Sequence, residues 1–142
     1  MESSSDFIED YPQYEMKPGE EYMSPEMLEH FKNKLLAWKK QLIWEATNTV
    51  QHLRTDSSTP ADPSDRASQE EEFALELRTR DRERKLIAKI DKSLRDIEDG
   101  DYGYCKMSGE EIGLARMEAR PTATLTVEMK TKQEMREKQG IA

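Results

Sequence analysis

The chain has little of what most compact enzymes use. A single cysteine, Cys105, among 142 residues excludes an internal disulfide and a multi-cysteine metal site, and fits a reducing compartment. Only 6 glycines are present, and hydrophobic residues at 35% are outnumbered by charged ones at 37%, a poor supply for an ordinary globular core. No apolar run approaches the ~18 residues of a membrane span. The opening MESSSDFIED lacks the basic and apolar regions of a secretory signal, so a soluble cytoplasmic protein is expected. Basic charge is scarce as well. The net charge of -8 argues against a free nucleic-acid binder and suits docking into a basic protein groove. With no nucleophile–base pair and no glycine-rich phosphate loop, the carboxylates lack the setting that acid–base catalysis needs, and no enzyme is expected.

What is there is helix-forming sequence. Ser24-Pro25-Glu26 supplies a cap, a first-turn proline and an acidic residue for the positive helix end. Apolar residues then recur at Leu28, Phe31, Leu35, Trp38 and Leu42, in the alternating three–four spacing of a coiled-coil seam. The stripe continues less regularly through Ala46, Val50 and Leu53. The breaker cluster from Thr55 to Pro63 ends this helix, and Asp62-Pro63 starts the next. That second helix is expected to run to Asp99, with Gly100 as its stop and a seam of Phe73, Leu77, Ile87, Ile90 or Asp91, Leu94 and Ile97, Arg80 and Arg84 occupying the intervening positions. Two such helices joined by about eight residues fold back antiparallel. At 1.5 Å per residue they make rods of roughly 45 and 55 Å.

The expected fold is therefore mainly α: a long antiparallel coiled-coil hairpin over 23–99 with its tip at about 55–67, followed by a small globular region at 100–142. Residues 1–22 are acidic and carry Phe7, Tyr11, Tyr14 and Tyr22 without helical or strand periodicity. They read as a flexible tail, with an extended segment docked through its aromatics as the alternative. Glycines and Pro121 interrupt residues 100–129, where short β pieces are expected near Leu125 to Val127, and Lys130 to Gln139 reads as a short basic helix.

The runs DRASQEEEFALELRTRDRERKLIAKI at 65–90 and GDYGYCKMSGEEIGLARMEARPTATLTVEMKTKQEMREKQG at 100–140, with KPGEEYM at 17–23, closely resemble the DksA/TraR family, from about residue 17 to the end. The resemblance implies a hairpin that enters the secondary channel of bacterial RNA polymerase from a globular base holding a four-cysteine zinc finger. The ligand positions correspond here to Cys105, Ser108, Thr126 and Met129. Hydroxyls are poor zinc ligands and thioethers prefer softer metals, so no zinc is expected. Leu114, Met117, Leu125, Val127 and Met129 are expected to hold the region by packing. Cys105 reads as a small apolar side chain, with a redox role as the alternative.

The resemblance also places the functional tip at Asp62, Asp65 and Ala67. From the residues alone, Asp62 is a helix cap and Asp65 faces the helix dipole; a rod could equally deliver such carboxylates to polymerase arginines or magnesium. Arg82, Leu86 and Lys89 correspond to part of a guanosine tetraphosphate site shared with polymerase, and Lys130 to a further contact. Their i, i+4, i+7 spacing puts the first three on one helix face. Arg78, Arg80, Arg82 and Arg84 otherwise read as a solvated run paired with Glu76, Asp81 and Glu83. Thr79 stands where relatives carry asparagine. The implied function is modulation of open-complex stability with the alarmone, repressing ribosomal RNA promoters and aiding some biosynthetic ones, by a monomer without sequence-specific DNA binding. The alternatives are a Gre-like transcript-cleavage factor, which uses the same channel, and a structural coiled-coil adaptor, which the heptads alone would support.

Overall fold

The computed structural model describes residues 4–55 and 63–140. Helix α1 spans Ser4–Asp10, α2 Pro25–Thr55, α3 Pro63–Asp99, α4 Leu114–Ala119 and α5 Val127–Lys138. The 31-residue α2 and the 37-residue α3 pack along each other as the expected hairpin. Helix α3 ends at Gly100, whose φ of 81° is a left-handed conformation that glycine adopts without a Cβ penalty.

The core lies at the base of the hairpin. Met27, Phe31, Leu35, Trp38 and Leu42 of α2 are buried against Ile90 of α3, Tyr102 and Met117. The seam read from Leu28 to Leu42 is therefore present, with Met27 added, while Val50 and Leu53, read as its continuation, lie outside the residues whose side chains are described. On α3 the reading slipped by one residue in the middle. Leu77 is 50% exposed and Arg84 is exposed, whereas Phe73, Glu76, Glu83, Ile87, Ile90, Leu94 and Ile97 are at least half-buried. The three–four repeat runs through Glu76 and Glu83, and an apolar residue one position away attracted the assignment. The carboxyl of Glu83 is held above its ordinary value by burial and by Glu45 across the hairpin.

The amino-terminal segment corrects the flexible-tail reading and comes closer to its alternative. Helix α1 packs on α2 and α4, and Phe7, Ile8, Tyr14 and Tyr22 pack against the core. Tyr11 and Tyr14 both lie against the His30 ring, with centroids 5.9 and 5.4 Å away. Tyr22 hides its ring while its polar edge stays bonded: the hydroxyl donates to Gly103 O at 2.7 Å and accepts from the Gly113 N–H at 3.0 Å.

No strand occurs among the described residues, so the β pieces expected near Leu125 to Val127 are absent. The only β feature among them is an isolated bridge from Tyr104 to Glu111. Thr126 caps α5 instead, accepting from the Met129 N–H at 3.2 Å. That makes Val127 the first residue of the helix, 59% exposed, and corrects its place among the packing residues. Met117 is fully buried, and Leu114 packs partly against the core.

Candidate functional site

The first turn of α3 carries Asp65. Asp65 and Ala67 are both exposed, as the acidic Glu70, Glu71 and Glu72 are beyond them. Asp62, read as both cap and tip residue, lies outside the described residues. Lys89 is 24 positions further along the same helix, which corresponds to roughly 36 Å at 1.5 Å per residue. The hairpin therefore carries an acidic group and a basic one on a single stiff element, far apart.

Between them the arginine run is a solvated face in part. Arg84 and Lys85 both pair with Asp81, Lys85 at 3.3 Å. These cations, Lys85 foremost, hold the Asp81 carboxyl below its ordinary value. The Thr79 hydroxyl donates to Leu75 O at 3.1 Å, a bond back to its own helix.

At the base, Lys89, Lys92, Lys106, Arg116, Arg120 and Lys130 line one cleft of about 780 Å³. Its remaining walls include Leu86, Trp38 and Ile8, and no carboxylate lines it among the described residues. In a chain of net charge -8, this is a concentrated positive field of the kind that draws anions. Three of the four residues implied by resemblance, Leu86, Lys89 and Lys130, are brought together here. Arg82, one helical turn nearer the tip, is exposed and does not line the cleft. Lys106 comes from the turn after α3, and Arg116 and Arg120 from α4 and its end, and the linear pattern gave no signal for them.

A buried ionic cluster joins α2 and α4 to the segment that follows α1. Lys34 is 1% exposed and Glu118 5%. Lys34 Nζ donates to Glu118 O at 2.9 Å and lies 3.6 Å from its carboxylate. His30 Nε2 sits 2.6 Å from Glu118 Oε1, and the Tyr14 N–H donates to Oε2 at 3.3 Å. Burial lowers the Lys34 pKa, and Glu118 opposes that shift. The carboxylate is thus shared by three groups, two from α2 and one from the segment that follows α1. His30 of α2 thus contacts α4 directly.

The four positions that resemblance matches to zinc ligands, Cys105, Ser108, Thr126 and Met129, do not fit zinc. Cys105 is buried and unpaired. The Thr126 hydroxyl, 4.0 Å from Cys105 Sγ, is already the cap of α5. Ser108 Oγ accepts from the Glu110 N–H at 3.4 Å. Among the described residues no group of three or more His, Cys, Asp or Glu could hold a metal. One thiol, two hydroxyls and a thioether are the wrong donor set for structural zinc. Hydrogen bonds occupy the same corner: Cys105 N–H to Glu110 O at 2.8 Å, and Lys106 N–H to Thr124 O at 2.8 Å. Burial raises the Cys105 thiol, but the Ser108 hydroxyl and backbone N–H groups outweigh it and bring the pKa down to about 6.

Comparison with known proteins adds the family. A family model for the N-terminal domain of DnaK suppressor protein DksA matches residues 27–97. One for the prokaryotic dksA/traR C4-type zinc finger matches 100–134. The chain is 57% identical over 126 residues to the RNA polymerase-binding transcription factor DksA of Salmonella typhimurium, covering 89% of this chain and 83% of that protein. It is 55% identical over 125 residues to the protein of the same name from Caulobacter vibrioides, covering 88% of each. The solved structure of transcription factor DksA2 from Pseudomonas aeruginosa matches with a TM-score of 0.76 at 35% identity, covering 96% of this chain and 99% of that one.

Proposed function

The chain belongs to the DksA/TraR family, and from that premise we propose that it is a non-enzymatic transcription factor that binds bacterial RNA polymerase through the secondary channel. The observation that carries the reading is the separation on α3 of an exposed acidic first turn from a basic cleft at the hairpin base. A rod of roughly 50 Å can place Asp65, with Asp62 and Ala67, near the polymerase active centre while the base stays at the channel mouth. There a carboxylate can pair with arginine or disturb magnesium coordination, which shortens the lifetime of open promoter complexes. Promoters with unstable complexes, such as those for ribosomal RNA, are then repressed, and some biosynthetic promoters are aided.

Guanosine tetraphosphate is proposed as the effector, held between polymerase and the cleft by Leu86, Lys89 and Lys130. Arg82, outside the cleft, would reach the ligand or polymerase from the shaft. The protein acts as a monomer, makes no sequence-specific DNA contact, and keeps its base folded without zinc, through the Glu118 cluster and the hydrogen bonds around Cys105. Transcription in vitro from a ribosomal RNA promoter tests the reading. The wild type should repress, more strongly with the effector. Arg82→Ala combined with Lys89→Ala should remove the effector's contribution. Survival of the full response would refute the assignment. A cleavage assay on a backtracked complex separates this role from that of a transcript-cleavage factor, which would shorten the RNA.

A further inference from the structure

Six cations line the cleft, and Lys106 alone among them has a carboxylate partner among the described residues: its Nζ lies 3.2 Å from Asp96 Oδ1. Lys130 reaches only the neutral Gln133, at 3.4 Å. Two donors from the cleft walls, Arg116 Nε and the indole N–H of Trp38, are buried without an acceptor. Trp38 is 5% exposed. Unmatched N–H dipoles are costly in a folded protein, and here they add to an uncompensated positive field. The six cations exceed what Lys89 and Lys130 account for.

Lys106 is placed by the turn that replaces the metal knuckle. Its N–H is bonded to Thr124 O, and the same turn is closed by the Gly109 N–H to Cys105 O at 2.9 Å. Asp96, at 14% side-chain exposure, is fixed at the end of α3, where its carbonyl accepts from the N–H groups of Asp101 and Tyr102. Asp96 itself does not line the cleft. The ammonium is therefore held at the edge of the cleft by an anion outside it.

We infer that Lys106, with Arg116 of the same cleft, forms a second phosphate subsite, and that Asp96 is the counter-ion an incoming phosphate must compete with. The inference rests on the proposed function and extends it: the ligand carries phosphate groups at two separated points, one met by Lys89 and Lys130 and the other by Lys106 and Arg116. About 780 Å³ lies within the range of sites that enclose small ligands. A charge-assisted bond from Lys106 to phosphate replaces the ion pair with Asp96. The two partners of that pair then have opposite effects on the ligand: Lys106 attracts it, and Asp96 competes with it.

The test titrates guanosine tetraphosphate against the full-length protein, polymerase and a ribosomal RNA promoter, and reads the effector concentration for half-maximal repression. Lys106→Ala should raise it about tenfold, the loss of one charge-assisted hydrogen bond. Lys106→Arg should hold it within about threefold of wild type, because the charge is kept. Asp96→Asn should lower it by about threefold. A merely structural ion pair would make Lys106→Ala and Asp96→Asn shift it the same way, and that result overturns the inference. If Lys89→Ala weakens the response while neither Lys106→Ala nor Asp96→Asn moves it, the second subsite is refuted and the proposed function stands. If neither Lys89→Ala nor Lys106→Ala has any effect, the effector reading fails and this inference fails with it.

Discussion

Replacing Lys34 by methionine should cost the protein about 2–3 kcal/mol, and the structure gives the reasons. The side chain is 1% exposed, and methionine keeps most of its stem volume, so little of the loss comes from a cavity. Removed are the bond to Glu118 O at 2.9 Å and the ionic contact with its carboxylate at 3.6 Å. At an effective dielectric constant of 20, two charges at that distance attract by roughly 4–5 kcal/mol. Relief of the lysine's own burial, which already lowers its pKa, returns part of that. Breaking a buried pair by removing one member costs about 3–5 kcal/mol. Here His30 and the Tyr14 N–H remain on the carboxylate, which moderates the cost to the value given. Urea denaturation at pH 7 followed by circular dichroism measures it. Glu118→Gln and the double variant complete a double-mutant cycle. The double variant should lose about 1–2 kcal/mol less than the sum of the singles, since it leaves no unpaired buried charge. A cost under about 1 kcal/mol for Lys34→Met, or strict additivity in the cycle, would refute the view that this cluster clamps α4 to the hairpin.

Other expectations follow from single sites. Gly103 has φ of 90°, and a Cβ there would meet Met23 side-chain carbons at 2.8 Å; Gly103→Ala should destabilise by about 2 kcal/mol, measurable by thermal melting. Glu83 is held above its ordinary 4.5 by burial and by Glu45, so folding favours its protonated form, and this contribution grows as pH falls through the raised native pKa toward 4.5. Glu83→Gln should therefore raise stability at pH 7 by about 0.5–1 kcal/mol and remove that pH dependence, with no gain counting against it. Cys105 shows the opposite sign. With the native thiol at about 6 against an ordinary 9.0, the thiolate favours the fold, so stability should rise between about pH 6 and pH 9 and fall away as pH drops through 6. Cys105→Ala should abolish that slope, and a chelator should leave wild-type stability unchanged; a stability loss on chelation would contradict a metal-free base.

How far the sequence could be read depends on where each interaction is encoded. The α2 seam was legible because Leu28, Phe31, Leu35, Trp38 and Leu42 repeat without interruption and are read within one element. The middle of α3 was not, because Glu76 and Glu83 sit at seam positions and the apolar Leu77 beside them points outward. Periodicity counts apolar residues and cannot anticipate a carboxylate at a seam position. The docking of the amino-terminal segment was equally hidden. Its Tyr11, Tyr14 and Tyr22 are held by His30, Gly103 and Gly113, contacts between segments with no common pattern. At the site, Leu86 and Lys89 share one helix face by spacing alone. Lys130 entered only by resemblance, and Arg116, Arg120 and Lys106 join only when α4 and the cysteine-poor turn fold against α3. The buried Lys34 gives no sequence signal at all, since a lysine within a charged helix reads as solvated.

The most direct test of the functional account is the lifetime of open complexes at a ribosomal RNA promoter, measured after heparin challenge with wild type and Asp65→Asn, alongside polymerase binding by each. The account predicts that both bind polymerase with similar affinity and that only the wild type shortens the lifetime. An Asp65→Asn protein that shortens it as much as wild type does, or that loses binding and activity together, would contradict the claim that the hairpin acts by delivering this carboxylate.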